Sequence, residues 1–359
     1  MYDVADNSKE QNNLDRIWSE EYWHEEATRI EIAYYNLIKD KIPAGSFPTQ
    51  EVPPTEHRIE EFVRNLSMNL GIPNLHVGLT SSDLEDNIRI KRLEDSVTEL
   101  SKRARQVMST FENISLNANN DLIMAYTHLM PAGKTTVYYR FAPTLDVINQ
   151  YLNFTPVFIY RGIQGAIGDR NIQQLLGLTG EQLNSVFGDK IQQRFSHQAS
   201  DHYTDYQVAC WIVGLTSAFV KLANDIRMMF ALGQLCYEKD DIGSTALAHK
   251  APNPWRFERI AGMFTSIINL PATIATASAN CLLERTLTDQ SVLSIEFGRS
   301  FVTAMGIIND FEDGLNGLKI IQEVRPFPDS EIELINSVLK GHGRLEAHIT
   351  LNKTYAGQK

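Results

Sequence analysis

Residues 208–229 read VACWIVGLTSAFVKLANDIRMM, and this stretch decides the fold. Its large apolar side chains recur at alternating steps of four and three residues, which is the heptad spacing of a helix that packs against other helices. The stretch contains no proline, so a helix can run through it without a break. The repeating side chains are Val208, Ile212, Leu215, Phe219, Leu222, Ile226 and Met229. We therefore predict a long helix within residues 205–238, buried in a bundle.

Helical patterns also flank this segment on both sides. They cover residues 14–40, 55–70, 86–119, 133–162, 255–283 and 289–322. Strand signals are scarce, because period-2 alternation is nearly absent and the Asn316-Gly317 pair lies within a helical pattern. We predict an all-α protein built as an elongated long-helix bundle. The predicted domains are a small N-terminal helical domain (1–88), the central bundle (89–322) and a shortened C-terminal helical domain (323–359).

The composition is that of a soluble globular chain. Of the 359 residues, 43% are hydrophobic and 21% are charged, and the formal net charge is -11. This acidic balance argues against nucleic acid as a partner. Three widely spaced cysteines form neither a disulfide framework nor a metal motif, so we expect a reducing compartment and no metal. The polar N-terminal residues do not resemble a targeting signal, and the apolar stretch 263–283 contains Pro271 and many hydroxyls. We expect a core helix there rather than a membrane span, and a cytoplasmic protein.

One polar loop is rich in reactive groups. Residues 242–254 read IGSTALAHKAPNP, with hydroxyls at Ser244 and Thr245, an ammonium at Lys250 and an amide at Asn253. Glycine and prolines in the loop disfavour a regular helix, although long helices are predicted on both sides. A loop held by rigid helices is a common place for chemistry. Loops of this composition also occur as plain surface loops.

Three further clusters of polar side chains lie at predicted helix edges. The clusters contain His57; His76 with Thr80, Ser81 and Ser82; and Thr127 with His128. Taken singly, each histidine is more often an ordinary hydrogen-bonded residue. Ser82 or Asp83 could cap a helix that begins near Leu84, and hydroxyls and N–H groups at such a helix start also suit an anion. The histidines and cysteines show neither H-x-x-x-H nor C-x-x-C spacing, which argues against a metal site.

Taken together, these clusters and their flanking segments resemble the fumarase/aspartase superfamily, and the adenylosuccinate lyase family most of all. The matching segments follow the family order over nearly the whole chain, so the ordered set is specific although each segment alone is weak. The segments are RIWSEEYWHEE (16–26), GLTSSDLEDN (78–87), YTHLMPAGKTT (126–136), GSTALAHKAPNP (243–254), LERTLTDQSV (283–292) and GRLEAH (343–348).

The resemblance implies a lyase that eliminates fumarate from an N-succinyl, aspartate-derived substrate by breaking a C–N bond. Removing a proton beside a carboxylate creates a doubly charged aci-carboxylate, which preorganised hydrogen-bond donors must stabilise. No cofactor is implied. The residues implied to bind the succinyl carboxylates are Thr80, Ser81, Ser82, Thr127, Lys250 and Asn253.

The resemblance also assigns an acid and a base. The implied acid is His128, which would protonate the departing nitrogen. His57 would support this acid or orient the leaving group, and His76 would contact the substrate. The family base is the second serine of a mobile Gly-Ser-Ser loop, and this position holds Thr245, whose β-methyl group stiffens χ1. The adjacent Ser244 is an alternative base, and closure of the loop would expel water.

The chain departs from the family at the leaving-group end. After Arg285, the family has a phosphate-binding serine and then an arginine, whereas this chain has Gln290 and Ser294. The family arginine downstream of Gln198 falls at or near His202. We count Gln198, Arg285, Gln290 and Ser294 among the substrate-binding positions. Each charge-assisted hydrogen bond lost from a phosphate site removes roughly 1.5–3 kcal/mol, so we expect a leaving group other than an ordinary nucleoside monophosphate.

The resemblance further implies a homotetramer in which each active site takes clusters from three subunits. Three alternatives remain open: a true adenylosuccinate lyase, a non-catalytic protein on the same scaffold, and another superfamily reaction such as cycloisomerisation. Thr245 and the lost phosphate-binding groups motivate the non-catalytic alternative. The retained His57, His128, Lys250 and Asn253 argue against it.

Overall fold

The computed structural model describes residues 9–50, 52–118, 121–237, 253–321 and 330–356. The chain is mainly helical in these residues, which confirms the predicted all-α class. The helices are α1 (Lys9–Ile17), α2 (Glu20–Ile38), α3 (Arg58–Leu70), α4 (Ser81–Asn117), α5 (Val137–Asn153), α6 (Asn171–Leu175), α7 (Gly180–Asn184), α8 (Tyr203–Ala231), α9 (Trp255–Thr265), α10 (Leu270–Ala279), α11 (Gln290–Leu315), α12 (Ser330–Leu339) and α13 (Arg344–Ala356). The short strands are β1 (Leu122–Thr127), β2 (Met130–Thr136), β3 (Leu235–Tyr237) and β4 (Leu318–Ile320).

Helix α8 carries the heptad pattern, and its apolar side chains are buried as predicted. Six of the seven repeating residues are 0% exposed and Met229 is 1% exposed. The helix ends earlier than residue 238, because Gly233 adopts a left-handed φ of 69°. The N–H of Gln234 then bonds to the carbonyl of Met229 at 2.8 Å, which closes the last turn. The chain continues as β3, which pairs with β4 in an antiparallel ladder.

The chain folds into two compact units, each assembled from three separate stretches of sequence. The first comprises residues 1–104, 151–217 and 263–308, and the second comprises residues 105–150, 218–262 and 309–359. Helices α4, α8 and α11 each give their N-terminal part to the first unit and their C-terminal part to the second. The domain boundaries expected from the resemblance stay a prediction.

The core of the first unit includes an aromatic contact between the N-terminal helices. The rings of Trp23 and Phe62 lie 5.0 Å apart in an edge arrangement. The Trp23 indole N–H donates to Glu85 Oε2 at 3.1 Å, and the guanidinium of Arg58 covers the same ring at 4.0 Å. The tryptophan thus joins α2, α3 and α4 through apolar, polar and cation–π contacts.

The core of the second unit is organised around Phe311 on α11. Its ring contacts those of Phe111, Phe219 and Phe257 at centroid separations of 5.2, 5.4 and 5.7 Å. All three are edge-to-face contacts, the arrangement that the aromatic quadrupole favours. One buried ring therefore joins segments from α4, α8, α9 and α11.

A β-hairpin replaces the start of the helix predicted over 133–162. Strands β1 and β2 pair in antiparallel register, with Thr127 opposite Met130. The two residues between them, His128 and Leu129, have φ values of 51° and 60°. Positive φ at both positions is the type I′ turn, which usually carries Asn-Gly. The prediction was wrong here because the usual turn signal is missing, and helix α5 begins only at Val137.

Two other predicted helices are shorter than expected. The pattern over 255–283 forms α9 and α10 with a break at residues 266–269, because Pro271 lies in the first turn of α10, where its missing N–H leaves no helical bond unmade. The pattern over 289–322 ends at Leu315. The following Asn316-Gly317 pair terminates the helix, with Gly317 at a φ of 71°.

Within the described ranges, two helical segments are apolar and long enough to cross a membrane, Tyr203–Ala231 and Trp255–Ala279. Core helices of soluble proteins meet the same criterion, and 56% of the apolar 18-residue window in the first segment is buried inside the protein, against 28% in the second. The pattern is therefore weak evidence for a membrane span.

Candidate active site

The start of helix α4 is the best-defined part of the candidate site. The helix begins at Ser81, three residues before the predicted Leu84, and Thr80 immediately precedes it. The Thr80 N–H donates to Asp83 Oδ2 at 2.8 Å, and the Asp83 N–H donates to the Thr80 carbonyl at 2.9 Å. The prediction that Ser82 or Asp83 precedes the helix as its cap was therefore wrong. The carboxylate instead reaches back from the first turn, as in a capping box.

Asp83 is also fixed from the opposite side by a loop. Its Oδ1 accepts hydrogen bonds from the Arg161 guanidinium and from the Gln164 N–H, the latter at 2.8 Å, and the Gly165 N–H lies 3.2 Å from Oδ2. Both charged side chains are fully buried. A buried carboxylate is tolerated when it is paired and hydrogen-bonded. The helix start is therefore held rigidly.

Three consecutive hydroxyls at this helix start each meet a side chain from a different segment. The Gln198 amide donates to Thr80 Oγ1 at 3.1 Å, and Ser81 Oγ lies 3.5 Å from His57 Nε2. The hydroxyl of Ser82 contacts the Arg285 guanidinium. These six residues, predicted separately as site residues, lie together in the first unit. We refer to them as the hydroxyl cluster.

His57 stands at the N-terminus of α3 and has a structural role as well. Its Nδ1 accepts a hydrogen bond from the Glu60 N–H at 3.2 Å and so caps the helix. With Nδ1 as the acceptor, the neutral ring carries its proton on Nε2, the nitrogen that faces Ser81. The side chain is exposed. The cap thus selects the tautomer that presents a donor toward the hydroxyl cluster.

His76 is held in a left-handed conformation by a buried acid. Its φ is 64°, and non-glycine residues adopt this region only when their surroundings fix it. Glu31 fixes it twice, because its carboxylate accepts the His76 N–H at 3.0 Å and lies 2.5 Å from His76 Nδ1. Sequence reasoning missed Glu31. The available signal was its position on the apolar face of α2 beside Ile30 and Tyr34, where an acid requires a partner.

A buried ionic network lies beside the hydroxyl cluster. His202 Nδ1 is 3.1 Å from Asp205 and its Nε2 is 2.9 Å from Asp289. The guanidinium of Arg89 bonds to Asp86 and Asp205, each at 2.8 Å. Burial alone would lower the pKa of His202, but its hydrogen bonds to Asp205 and Asp289 raise that pKa to about 9. The resemblance implies an arginine at or near position 202, where this chain has a histidine. In the structure, His202 contacts two carboxylates, those of Asp205 and Asp289.

The residues at the leaving-group end lie next to this network. Gln290 begins α11 directly after Asp289, and Ser294 follows one turn later with its side chain exposed. A cavity of about 400 Å³ opens nearby, lined in part by Phe195, His202 and Glu284. A ligand in this cavity would meet His202, whose two ring nitrogens are paired with Asp205 and Asp289.

The remaining predicted residues are distributed differently. Thr127 and His128 belong to the second unit, where both are exposed at the end of the β1–β2 hairpin rather than at a helix edge. Asn253 is exposed just before α9. Predicted residues Ser244, Thr245 and Lys250 lie outside the described residues.

Comparison with known proteins identifies a family, and the matches cover more of this chain than of its relative. A family model described as a lyase matches residues 7–269. Among curated proteins, the adenylosuccinate lyase of Caenorhabditis briggsae is 27% identical over 302 residues, which cover 78% of this chain and 63% of that protein. The chain thus spans less than two thirds of the length of this relative.

Solved structures show the same fold. The 3-carboxy-cis,cis-muconate lactonizing enzyme of Pseudomonas putida superposes with a TM-score of 0.74 at 17% identity, over 96% of this chain and 86% of that chain. The fumarate lyase of Mesorhizobium sp. BNC1 gives a TM-score of 0.68 at 17% identity, over 95% and 85% of the two chains. At this identity the likeness concerns the architecture alone.

Proposed function

The chain belongs to the lyase family of the fumarase/aspartase superfamily, and from this premise we propose that it eliminates fumarate from an N-succinyl substrate by cleaving a C–N bond. The observation that carries the proposal is the hydroxyl cluster, in which Thr80, Ser81 and Ser82 meet Gln198, His57 and Arg285.

The cluster has the chemistry that a dicarboxylate requires. It offers hydroxyl, amide, imidazole and guanidinium donors at the start of a helix, where the backbone dipole also favours negative charge. The nearby carboxylate of Asp83 is paired with Arg161, so it does not oppose an anion with a full free charge. Such donors are fixed before the reaction, which is the condition for stabilising an aci-carboxylate.

The proposed reaction is a β-elimination. The base, Thr245 with Ser244 as the alternative, removes the proton beside the succinyl carboxylate, and that electron pair forms the C=C bond of fumarate. The C–N electron pair leaves with nitrogen, which takes a proton from His128. His57 supports this acid, and His76 contacts the substrate.

The succinyl carboxylates are held by the hydroxyl cluster together with Thr127, Lys250 and Asn253. We propose that these groups meet in a cytoplasmic homotetramer, with each site built from several copies of the chain. The exposed position of His128 on a hairpin of the second unit supports this arrangement, because a projecting turn suits donation to a neighbouring copy.

Mixing two inactive variants tests the shared site. The variants His128→Ala and Ser82→Ala each lose elimination activity. If the two residues come from different copies, mixed tetramers contain some sites with both residues intact and recover part of the activity. Mixtures that stay as inactive as the parents, although subunit exchange is demonstrated by mass spectrometry, would contradict sharing.

We further propose that the leaving group is not an ordinary nucleoside monophosphate. The position expected to hold an arginine has His202, which is engaged by Asp205 and Asp289, and the next expected arginine is Ser294. Burial would raise the pKa of Asp289, but its hydrogen bond with His202 leaves that pKa lowered, so the carboxylate stays ionised at neutral pH. Both ring nitrogens of His202 are engaged by carboxylates, so this residue offers a phosphate no free donor in place of the expected arginine.

True adenylosuccinate lyase activity is the second candidate, because curated relatives carry that name. One experiment separates the two candidates. The protein is incubated with succinyl-AMP and with a panel of N-succinyl amines and amides that lack phosphate, and fumarate is measured. We expect release from a phosphate-free compound. Efficient turnover of succinyl-AMP would establish the second candidate, and absence of fumarate from every compound would reject the elimination itself.

A further inference from the structure

A histidine, a cysteine and an aspartate converge at the edge of the 400 Å³ cavity. The residues are His202, Cys281 and Asp289, and each offers a ligand atom within 4.8 Å of those of the other two. His202 and Cys281 line the cavity itself. The three positions are far apart in the sequence and form no short metal motif, so the fold alone brings them together.

Negative charge outweighs positive charge among the described residues of this network. As described, the network contains one arginine, Arg89, and three buried carboxylates, those of Asp86, Asp205 and Asp289. A buried charge without a partner is costly. The network therefore has room for a further cation.

The aspartate also has an unused buried oxygen. Asp289 is 1% exposed, and its Oδ2 pairs with His202 Nε2 at 2.9 Å. Among the residues that the structure describes, its Oδ1 makes no well-formed hydrogen bond, although the Gln290 N–H lies near enough to the carboxylate to help lower its pKa. Buried carboxylate oxygens nearly always have a partner, so an orphaned one calls for a ligand.

We propose that His202, Cys281 and Asp289 bind a divalent transition metal ion of the zinc class. An imidazole nitrogen, a thiolate and a carboxylate are the donor types that zinc takes in proteins. Zinc bonds of about 2.0–2.3 Å bring tetrahedral ligands roughly 3.5 Å apart. The observed separations need small side-chain movements, which include loss of the 2.9 Å hydrogen bond between His202 Nε2 and Asp289 Oδ2. Binding displaces the thiol proton and the proton between His202 and Asp289, so protons are released.

The surroundings have the form of a metal site's outer shell. His202 Nδ1 faces Asp205, which is itself bonded to Arg89. A carboxylate behind the second ring nitrogen orients a metal-bound histidine and increases its basicity. Three protein ligands leave one position of a tetrahedral ion for water or a ligand carboxylate, and two of the three, His202 and Cys281, line the cavity.

Cobalt titration of the full-length protein tests the proposal, because a thiolate–Co²⁺ bond gives an intense charge-transfer absorption band. Reduced protein is freed of metal with a chelator and titrated with Co²⁺. We expect one equivalent per chain, a thiolate band, and its loss on addition of Zn²⁺. Cys281→Ser and Asp289→Asn should weaken binding at least tenfold. Cys236→Ser is the matched control, since Cys236 is also a free, half-buried cysteine, and it should bind as the unaltered protein does.

A measurement on the unaltered protein guards against variants that fail to fold. The alkylation rates of Cys281 and Cys236 are followed by peptide mass spectrometry with and without Zn²⁺. Selective protection of Cys281 supports the site. Equal protection of both cysteines, a thiolate band that survives Cys281→Ser, or no stoichiometric Co²⁺ binding would overturn it.

Discussion

Replacing Arg89 by methionine should destabilise the first unit by about 3–5 kcal/mol, because it leaves buried carboxylates without their cation. The guanidinium is 5% exposed and bonds to Asp86 and Asp205 at 2.8 Å and to the Ser200 hydroxyl at 2.7 Å. Burial would lower the pKa of Arg89, but the two carboxylates raise it well above its ordinary value. Methionine keeps the apolar stem and removes every one of these bonds.

The magnitude follows from the number of groups left unpaired. Hydrogen bonds to charged groups are worth roughly 1.5–3 kcal/mol each, and four are removed, two to Asp205, one to Asp86 and one to Ser200. The total destabilisation is smaller than the sum of these bond energies. Without Arg89, burial raises the pKa of Asp205, and the carboxyl can then take up a proton. At present Arg89 holds that pKa to about 2 against the effect of burial. Destabilisation should therefore be smaller at acidic pH than at neutral pH.

Urea unfolding followed by circular dichroism, in the presence of chelator, measures the loss. Hydrogen exchange of residues 197–205 reports the same loss locally. Arg16→Met is the matched control, because the Arg16–Glu25 pair is exposed and should cost less than about 1 kcal/mol. Arg89→Lys should fall between them, since it keeps the charge and loses the planar fork. Arg89→Met within about 1 kcal/mol of the control would refute the reasoning.

Three further outcomes are expected. Phe311→Ala should cost about 3–5 kcal/mol of unfolding free energy, because it empties the centre of an aromatic core, whereas Phe154→Ala, at a side chain 78% exposed, should cost little in the same urea assay. In metal-free protein the His202 contribution to stability is fully present below the unfolded pKa of about 6.5 and is lost as pH rises through its folded pKa of about 9. This loss is on the order of 3 kcal/mol, and a pH series on His202→Gln that kept the full slope would contradict it. Gly314→Ala should destabilise by about 1–3 kcal/mol, since the added Cβ lies 2.7 Å from an aromatic core ring, while Gly262→Ala, with open space at its Cβ, should leave the melting temperature unchanged or raise it.

Much of the helical framework could be predicted, because long apolar periodicity reports burial directly. The repeating apolar side chains of α8 are buried, as their alternating steps of four and three residues predict. Helix ends were less predictable, since they depend on single residues such as Gly233 and Pro271, whose effect is positional. The β1–β2 hairpin was missed because its turn has the geometry of Asn-Gly and the sequence His-Leu.

The hydroxyl cluster could be predicted because its polar residues stand in a recognisable order. Its supporting residues could not. Arg89 acts through a partner 116 residues away in the sequence, and nothing local distinguishes it from a surface charge. Glu31 acts through a partner 45 residues away, and its local signal is limited to its position on the apolar face of α2. The same holds for the association of Cys281 with His202, which arises only when two distant segments meet in the fold.

In the two-residue turn at the tip of the β1–β2 hairpin, the residues that would be most stable differ from the residue that the proposed reaction requires. His128 and Leu129 both adopt the left-handed region, which non-glycine residues disfavour. This conformation costs on the order of 1–3 kcal/mol of folding free energy per residue. Asn-Gly at positions 128 and 129 would relieve that cost and also delete the imidazole proposed as the acid. Laboratory evolution that selects for thermal stability alone should therefore favour substitutions at these two turn positions. Selection that also requires elimination activity should retain His128 and Leu129 despite their conformational cost.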